Sequence, residues 1–179
     1  MKPIFLITLI SFALTSCLKT SNRNLGVYNT ADGYISYQLN NYPFEINGGY
    51  NSFSNTGIGV YGRKLPRSAT IESSRYTIVG QLSARRSIAI VLVTDSLTSG
   101  TYTTSHSSNP ITTAKFDSAQ YAGNRPADIL RVEVVRNPNG TIDGTFSGQL
   151  SASVTANGAT TYTEGLITNG VFKNVVINY

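Results

Sequence analysis

The chain has 179 residues, of which 40% are hydrophobic and 13% charged, and it contains one cysteine, one histidine and no tryptophan. This length suits a single domain with its own hydrophobic core, and a lone cysteine excludes a disulfide bond within the chain. The net charge of +5 is a mild basic excess, and the densest basic cluster, Arg63, Lys64 and Arg67, is typical of solvated turns rather than of a nucleic-acid surface.

The N-terminus has the layout of a signal peptide. Lys2 precedes an apolar run from Ile4 to Leu14 that only Thr8 and Ser11 interrupt, and small residues follow it before Cys17. A helix of this length covers about 16 Å of a hydrocarbon core roughly 30 Å thick. We therefore expect export and cleavage rather than a membrane-spanning helix.

The stretch LTSC, residues 14–17, resembles the lipobox of bacterial lipoproteins, in which the cysteine becomes the lipidated first residue of the mature chain. The resemblance implies that residues 1–16 are a lipoprotein signal peptide and that acyl chains on Cys17 anchor the protein to a membrane. An ordinary secretory signal with a cysteine near its cleavage site is the alternative. The polar residues 17–29 predict a flexible tether, and residues 30–179 a single β-rich domain.

The expected location is the cell envelope, with the lipid in the outer membrane. The residues LKTSN at 18–22 lack the acidic side chains that some lineages place after the cysteine for surface export, which favours a periplasm-facing orientation over a surface-exposed one. Loss of Lys2 with the signal lowers the basic count from 14 to 13 against nine acidic residues, a net charge of +4. No nucleic-acid partner is expected there.

From residue 30 onward, β-branched and aromatic segments alternate with turn residues, and no stretch of ten residues has a helical apolar period. Arg85 and Arg86 predict a hairpin turn, and the segment after it, residues 87–94, is apolar on both faces and predicts a central strand. Residues 137–140, with the sequence NPNG, predict another tight turn. The predicted strands are 34–39, 44–46, 58–61, 76–84, 87–94, 100–104, 114–121, 131–136, 141–154 and 160–179.

The clearest strand is TIDGTFSGQLSASV, residues 141–154. Its alternation places Phe146 in the core and Thr145 in solvent. Gly144 and Gly148 fall on the apolar face, where a missing side chain would admit a bulky neighbour or a bend of the strand. The residues predicted on that apolar face are Ile142, Phe146, Leu150, Ala152 and Val154.

Regular strand spacing predicts an all-β fold, either an antiparallel β-sandwich or a flattened up-and-down barrel built from consecutive hairpins. The segments SGTYTTS, GTIDGTFSGQLSA and LITNGVFKNVVI resemble strand motifs of a family of uncharacterised β-rich lipoproteins from Gram-negative bacteria. The resemblance covers the chain from about residue 48 onward and implies the fold and the envelope location. That family has no established catalytic residues, so the resemblance implies none here.

No group of residues in the sequence indicates catalysis, and we predict a protein that is not an enzyme, with no metal and no cofactor. His106 is the only histidine, so a zinc site lacks further nitrogen ligands and a Ser-His-Asp arrangement lacks an orienting partner nearby. The acidic residues stand singly, and none forms an evident pair for glycoside hydrolysis. The predicted function is a lipid-anchored binding or structural module. The alternatives are an envelope glycan-acting enzyme and a carrier of an apolar ligand in a barrel cavity.

Two further features concern partners and modification. The chain has eleven tyrosines, for which half-buried cross-strand packing is favoured over an exposed binding platform. The motifs DSL at 95–97 and DSA at 117–119 resemble acceptors of O-linked glycosylation in some Gram-negative lineages, which makes Ser96 and Ser118 candidate sites. The first motif falls at a predicted turn and the second within a predicted strand. The expected partners are the membrane, through Cys17, and an envelope protein or glycan, and the oligomeric state is left open.

Overall fold

The computed structural model describes residues 33–48, 59–67, 73–104, 106 and 111–178. The predicted signal peptide, Cys17 and the predicted tether lie outside these residues. None of the described segments forms a helix with the length and apolar character needed to span a bilayer. The strands are β1 (Tyr34–Leu39), β2 (Tyr42–Asn47), β3 (Gly59–Leu65), β4 (Arg75–Ser83), β5 (Arg86–Val93), β6 (Gly100–Thr103), β7 (Thr113–Phe116), β8 (Ala119–Ala122), β9 (Leu130–Arg136), β10 (Thr141–Ala156) and β11 (Ala159–Asn178).

The fold is all-β, as predicted: the strands form one mostly antiparallel sheet in the order β2-β1-β11-β3-β4-β5-β7-β8-β10-β9-β6. Because β10 also pairs with β11, seven of the strands close into a partial ring. Two short joints prevent a regular barrel. β8 and β10 share the single residue pair Ala122 and Ser151, and β3 runs parallel to the end of β11 over two pairs.

These joints divide the sheet into two layers that pack face to face. One layer is β2-β1-β11-β10-β9-β6, and the other is β3-β4-β5-β7-β8. Phe44 of β2 meets Phe116 of β7 edge to face, with ring centroids 5.5 Å apart. At Gly80 of β4, a Cβ atom would lie 3.0 Å from the Ile35 side chain of β1, so the missing side chain lets the layers approach closely.

The long strand β11 bends at two β-bulges, which allow it to serve both layers. Opposite Asp143 and Ser147 of β10, the register shifts so that β11 carries an extra residue. Asn174 and Asn169 lie at these shifts, both with a left-handed φ of 52°, a conformation that asparagine tolerates. Bulges bend a strand and increase its twist. β11 can therefore pair with β1 in its middle and with β3 at its end.

Aromatic and aliphatic side chains fill the space between the layers. Phe146 is 2% exposed, and its ring lies 6.0 Å from that of Tyr37 and 6.4 Å from that of Phe172. The Tyr37 ring stacks on Phe44 with centroids 4.7 Å apart. Thr145 is exposed. The prediction of a buried Phe146 beside an exposed Thr145 is therefore confirmed.

Gly144 and Gly148 have the roles that the alternation of β10 predicts. A Cβ atom at Gly144 would overlap the ring of Phe172 and the carbonyl oxygen of Glu133, so this glycine makes room for an aromatic neighbour. Gly148 has a φ of +147° next to the register shift and a carbonyl oxygen of Ile129 in the place of a Cβ. The first glycine admits a bulky side chain, and the second allows a bend.

Two sequence predictions about strand extent are wrong. Residues 114–121 form two strands, β7 and β8, joined by a turn at Asp117 and Ser118, because Asp117 adopts a left-handed φ of 52° and reverses the chain. In β10, Val154 is 62% exposed and Ser151 is buried, the opposite of their predicted burial. The apolar alternation continues past the point where the opposite layer ends, so Val154 has nothing to pack against among the described residues.

Candidate functional site

The two candidate glycosylation sites and the histidine lie in exposed bends and turns. Ser96 is exposed in a bend after β5, and Ser118 is exposed in the turn between β7 and β8, so the prediction that Ser118 lies within a strand is wrong. Their glycosylation stays a prediction. His106 is exposed in a turn, and among the described residues no group of three or more His, Cys, Asp or Glu side chains could hold a metal ion.

The tyrosines of the described ranges mostly pack within the fold. Tyr37, Tyr76 and Tyr121 are buried, whereas Tyr42 and Tyr162 are 46% and 47% exposed. The other three tyrosines in these ranges are half-buried. Cross-strand packing, the favoured prediction, therefore accounts for most of them, and no tyrosine platform forms in this part of the chain.

A band of polar side chains crosses the outer surface of the six-stranded layer. The first row consists of residues that are paired directly across neighbouring strands from β2 to β6. The second row consists of the next outward residues, two positions along each strand. We call the outward residues of these two rows the polar face. The first row is Glu45, Ser36, Val171, Thr145, Glu133 and Thr101, and the second is Pro43, Gln38, Thr168 with the bulge residue Asn169, Ser147, Arg131 and Thr103.

Strand alternation produces this face. Along β1, for example, Ile35 and Tyr37 point into the core, so Ser36 and Gln38 point outward. The thirteen residues of the two rows come from six strands that are scattered along the sequence, and only the pairing of the strands brings them together. Composition and periodicity give no signal for such a face, so the sequence alone does not predict it.

Three shallow depressions adjoin one another on the polar face. A depression of about 590 Å³ lies over β9, β10 and β11, and one of about 560 Å³ lies over β6, β9 and β10. They share Arg131 and Ser147 as a common wall. A third, of about 420 Å³, lies over β1 and β2 and shares Asn169 with the first. The depressions form one continuous surface from β2 to β6.

The polar side chains of this face are partly ordered by one another. The Gln38 Oε1 atom accepts hydrogen bonds from Thr168 Oγ1 and Asn169 Nδ2, both at 3.3 Å. Arg131 Nη2 donates to Glu133 Oε1 at 3.3 Å, and these two side chains are 69% and 56% exposed. An ion pair this exposed adds little to stability. Its donors and acceptors remain open to a ligand.

The strand register also brings two carboxylates near each other. Glu133 and Asp143 occupy diagonal positions on β9 and β10, for which Cα atoms are typically about 7 to 8 Å apart. Asp143 Oδ1 accepts the backbone N–H of Asn174 at 2.7 Å. Glu45 lies four strands away from Glu133, about 19 Å at the usual strand spacing. Among the described acidic residues on the outer side of this layer, the strand register brings Glu133 and Asp143 near each other, and a pair of neighbouring carboxylates is what glycoside hydrolysis requires.

A second polar cluster lies where the β10–β11 hairpin leaves the core. Asp128 is fully buried, and its carboxylate accepts hydrogen bonds from Arg125 Nη2 at 3.1 Å, from the Arg125 backbone N–H at 3.0 Å and from Ser151 Oγ at 2.6 Å. Burial raises the pKa of Asp128, but these hydrogen bonds outweigh burial and hold the pKa below its ordinary value. Arg125 also lies 3.6 Å from Glu164 and 4.9 Å above the Tyr162 ring.

The contacts among Arg125, Asp128, Ser151 and Glu164 hold two parts of the fold together, and we call this cluster the lock. Every carboxylate oxygen of Asp128 has a donor, and Arg125 bridges Ser151 of β10 to Glu164 of β11. The Ser151 hydroxyl is buried, donates to Asp128 and accepts from Arg125, so its hydrogen bonds are made within the cluster. The cluster fixes the loop before β9 to the base of the hairpin.

Comparison of the chain with protein-family models, with curated proteins and with solved structures gives no match. The resemblance to β-rich lipoproteins therefore stays a prediction, supported by the sequence segments that carry it. Any function assigned to the polar face depends on the chemistry and geometry of its own residues.

Proposed function

We propose that this chain is a lipid-anchored binding module of the cell envelope that uses the polar face to bind a glycan. The observation that carries this proposal is the row of hydroxyl and amide side chains on β1, β11, β10 and β6, beside the charged side chains of Arg131 and Glu133 on β9. Such side chains offer both hydrogen-bond donors and acceptors, which match the hydroxyl and acetamido groups of sugars.

The composition of the face favours a glycan over a protein partner. Protein interfaces depend on clusters of large aromatic anchors, whereas the described aromatic rings of this chain lie mainly between the layers. Tyr34, half-buried beside Ser36 on the outward side of β1, can add one ring for stacking on a sugar. The extended shape of the face suits a polymer that lies across several strands.

The packed interior argues against the carrier alternative. The large side chains of Tyr37, Phe146 and Phe172 are at most 2% exposed and pack together between the layers. An apolar ligand would need an interior volume that these rings occupy. The depressions on the polar face, in contrast, are open to solvent, and Arg131, Ser147 and Asn169 are among the residues that line them.

Glycan binding can be tested with the full chain, extracted from the envelope in detergent and mixed with purified peptidoglycan or with immobilised oligosaccharides. Ser147→Tyr places a large side chain in the wall between two depressions and should weaken binding by about tenfold or more, an effect of at least 1.4 kcal/mol. Ala84→Tyr is the control, since Ala84 is a small exposed residue in the turn between β4 and β5, away from the polar face and from the β10–β11 hairpin. Equal binding by both variants would show that the polar face is not the site.

The pair formed by Glu133 and Asp143 keeps an envelope glycan-acting enzyme as the second candidate. Release of reducing ends from peptidoglycan or oligosaccharides measures it directly. A binding module should give background rates. Reproducible turnover that both Glu133→Gln and Asp143→Asn abolish would replace the binding module with a hydrolase at the same face.

The anchor is tested separately. We expect the protein extracted from envelopes to begin at Cys17 with acyl chains attached, and mass spectrometry of the intact mature chain measures this. A mature chain that begins elsewhere, or an unmodified Cys17, would remove the lipid anchor from the proposal and leave the polar face unaffected.

A further inference from the structure

The β10–β11 hairpin extends beyond the two layers as a two-stranded arm. We define the arm as residues 152–163, which pair in register from Ala152 with Thr163 to Ala156 with Ala159. Both faces of the arm are exposed from Ser153 onward. A two-stranded ribbon with no third strand and no packed face is only marginally stable in water. We therefore expect the arm to be stabilised by a contact outside the two layers of its own chain.

The edges of the arm are open within the described part of the chain. The outer edge of β10 pairs with β8 at Ser151 and with no described strand beyond it. On the β11 side, Asn40 caps the ladder: its Oδ1 accepts from the Leu166 N–H at 2.8 Å and its Nδ2 donates to the Glu164 carbonyl at 3.3 Å. Open edges of this kind present rows of unused backbone donors and acceptors.

The sequence of the arm lacks the usual protection of an open edge. Exposed edges normally carry charges or proline that prevent pairing with another chain. Between Asp143 and Glu164 the chain has no charged residue and no proline. Val154 is 62% exposed on the side of the arm that continues the core-facing side of the hairpin. The edge is thus free of the side chains that would repel a second strand.

β8 and β10 separate beyond their single shared pair and leave a cleft of about 470 Å³ along this edge. Its lining is uncharged and consists of Ser118, Ala119, Gln120, Ala122 and Asn124 on one side and Ala152, Ser153 and Val154 on the other. An uncharged extended strand fits this cleft, because the lining offers no counter-charge. The β10 edge of the arm itself has this composition.

We propose that two copies of this chain associate through their arms, with the outer edges of the two β10 strands pairing antiparallel about a two-fold axis near Val154. Each arm then becomes half of a four-stranded sheet, and the tip of each enters the cleft beside β8 of the other copy. A two-fold contact uses the same edge on both copies and closes at a dimer. Neutral arms allow two molecules of equal net charge to meet without local repulsion. Association at the arm does not depend on the ligand of the polar face.

The lock formed by Arg125 supports this assignment because it holds the arm in one orientation. Arg125 lies over Tyr162 and bridges to Glu164 on the face opposite to Val154. Glu164 is therefore already paired and leaves no unpaired charge at the base of the arm. A membrane surface fits the arm less well, since the arm has no basic residue and few large apolar ones.

The test uses two differently tagged copies of the full chain expressed together. After detergent extraction, capture of one tag should recover the other. Val154→Lys in both copies places two lysines opposite each other and should reduce recovery by about tenfold or more. Val135→Lys is the matched control, since Val135 is 54% exposed on β9, and it should leave recovery within about twofold of the unchanged chain.

Thermal unfolding of each variant shows whether the fold is kept. If Val154→Lys lowers the melting temperature markedly, Val154→Cys replaces it: a bis-maleimide should cross-link copies at position 154 but not copies with Val135→Cys. If Val154→Lys leaves the recovery of the second copy unchanged, something other than the arms holds the copies together, such as a shared micelle, and the proposal is contradicted. A wild-type chain that recovers no second copy, or a cross-link at position 154 to another protein only, contradicts it as well.

Discussion

Truncation of Phe146 to alanine tests the packing of the six-stranded layer against the rest of the core. The ring is 2% exposed and lies between Tyr37 and Phe172. It also covers Gly170, where a Cβ atom would lie 2.6 Å from two of its ring carbons. Because Gly170 has no side chain to move into the vacated space, and Phe172 is seated over Gly144, the cavity should stay largely open. The expected loss of stability is about 3 to 5 kcal/mol.

Urea unfolding of the full chain, followed by circular dichroism, measures this loss. For a chain of this size the melting temperature should fall by about 6 to 20 °C. Thr145→Ala is the control, since Thr145 is the neighbouring residue on the exposed side of β10, and it should change the free energy of unfolding by about 0.5 kcal/mol or less. Similar losses for both variants would mean that the register of β10 is wrong.

Three further substitutions test other parts of the fold. Asp128→Asn should cost about 1 to 3 kcal/mol at neutral pH. Because the folded pKa of Asp128 is lowered, the stability that its carboxylate contributes is complete above pH about 4 and is lost as the pH falls through the folded pKa. The free energies of unfolding of wild type and variant should therefore converge in acid, and a constant difference would refute this. Tyr37→Phe should leave stability unchanged or raise it by about 1 kcal/mol, because the buried Tyr37 hydroxyl has no hydrogen-bond partner among the described residues. Burial also raises the pKa of this hydroxyl. A clear loss of stability would reveal a partner. Gly144→Ala should cost at least about 1 to 3 kcal/mol, because the added Cβ would force aside the Glu133 carbonyl of β9 as well as the Phe172 ring. Gly48→Ala adds only backbone strain in open space and should cost less, and equal melting temperatures for the two variants would contradict this.

Local signals in the sequence predicted the parts of the fold that depend on local chemistry. The NPNG turn at 137–140 joins β9 to β10, and the alternation along β10 correctly places Phe146 inside. The same alternation fails at Val154, because a period of two residues reports which side a residue occupies and not whether another layer covers that side. The turn at Asp117 was missed because an aspartate in a left-handed conformation lacks the Asn-Gly signature of tight hairpins.

The candidate surfaces could not be predicted because they depend on contacts between distant segments. Glu133 and Asp143 become neighbours only through the register of β9 against β10. Gln38 meets Thr168 and Asn169 through a pairing that joins the two ends of the domain. The open edge of the arm likewise depends on where β8 leaves β10, which one residue pair determines.

The two proposed surfaces share the β10–β11 hairpin but use separate lengths of it. Asn40 caps the ladder at Leu166 and so marks the point where the polar layer ends and the arm begins. Two copies joined by their arms would carry two polar faces in one rigid assembly, anchored to the same membrane. A second binding event then becomes intramolecular, which raises the overall affinity for any ligand long enough to reach both faces. A repeating envelope polymer is such a ligand, whereas a short oligosaccharide is not. The arm and the polar face therefore favour the same class of ligand for different physical reasons, one by doubling the sites and the other by supplying the hydrogen bonds.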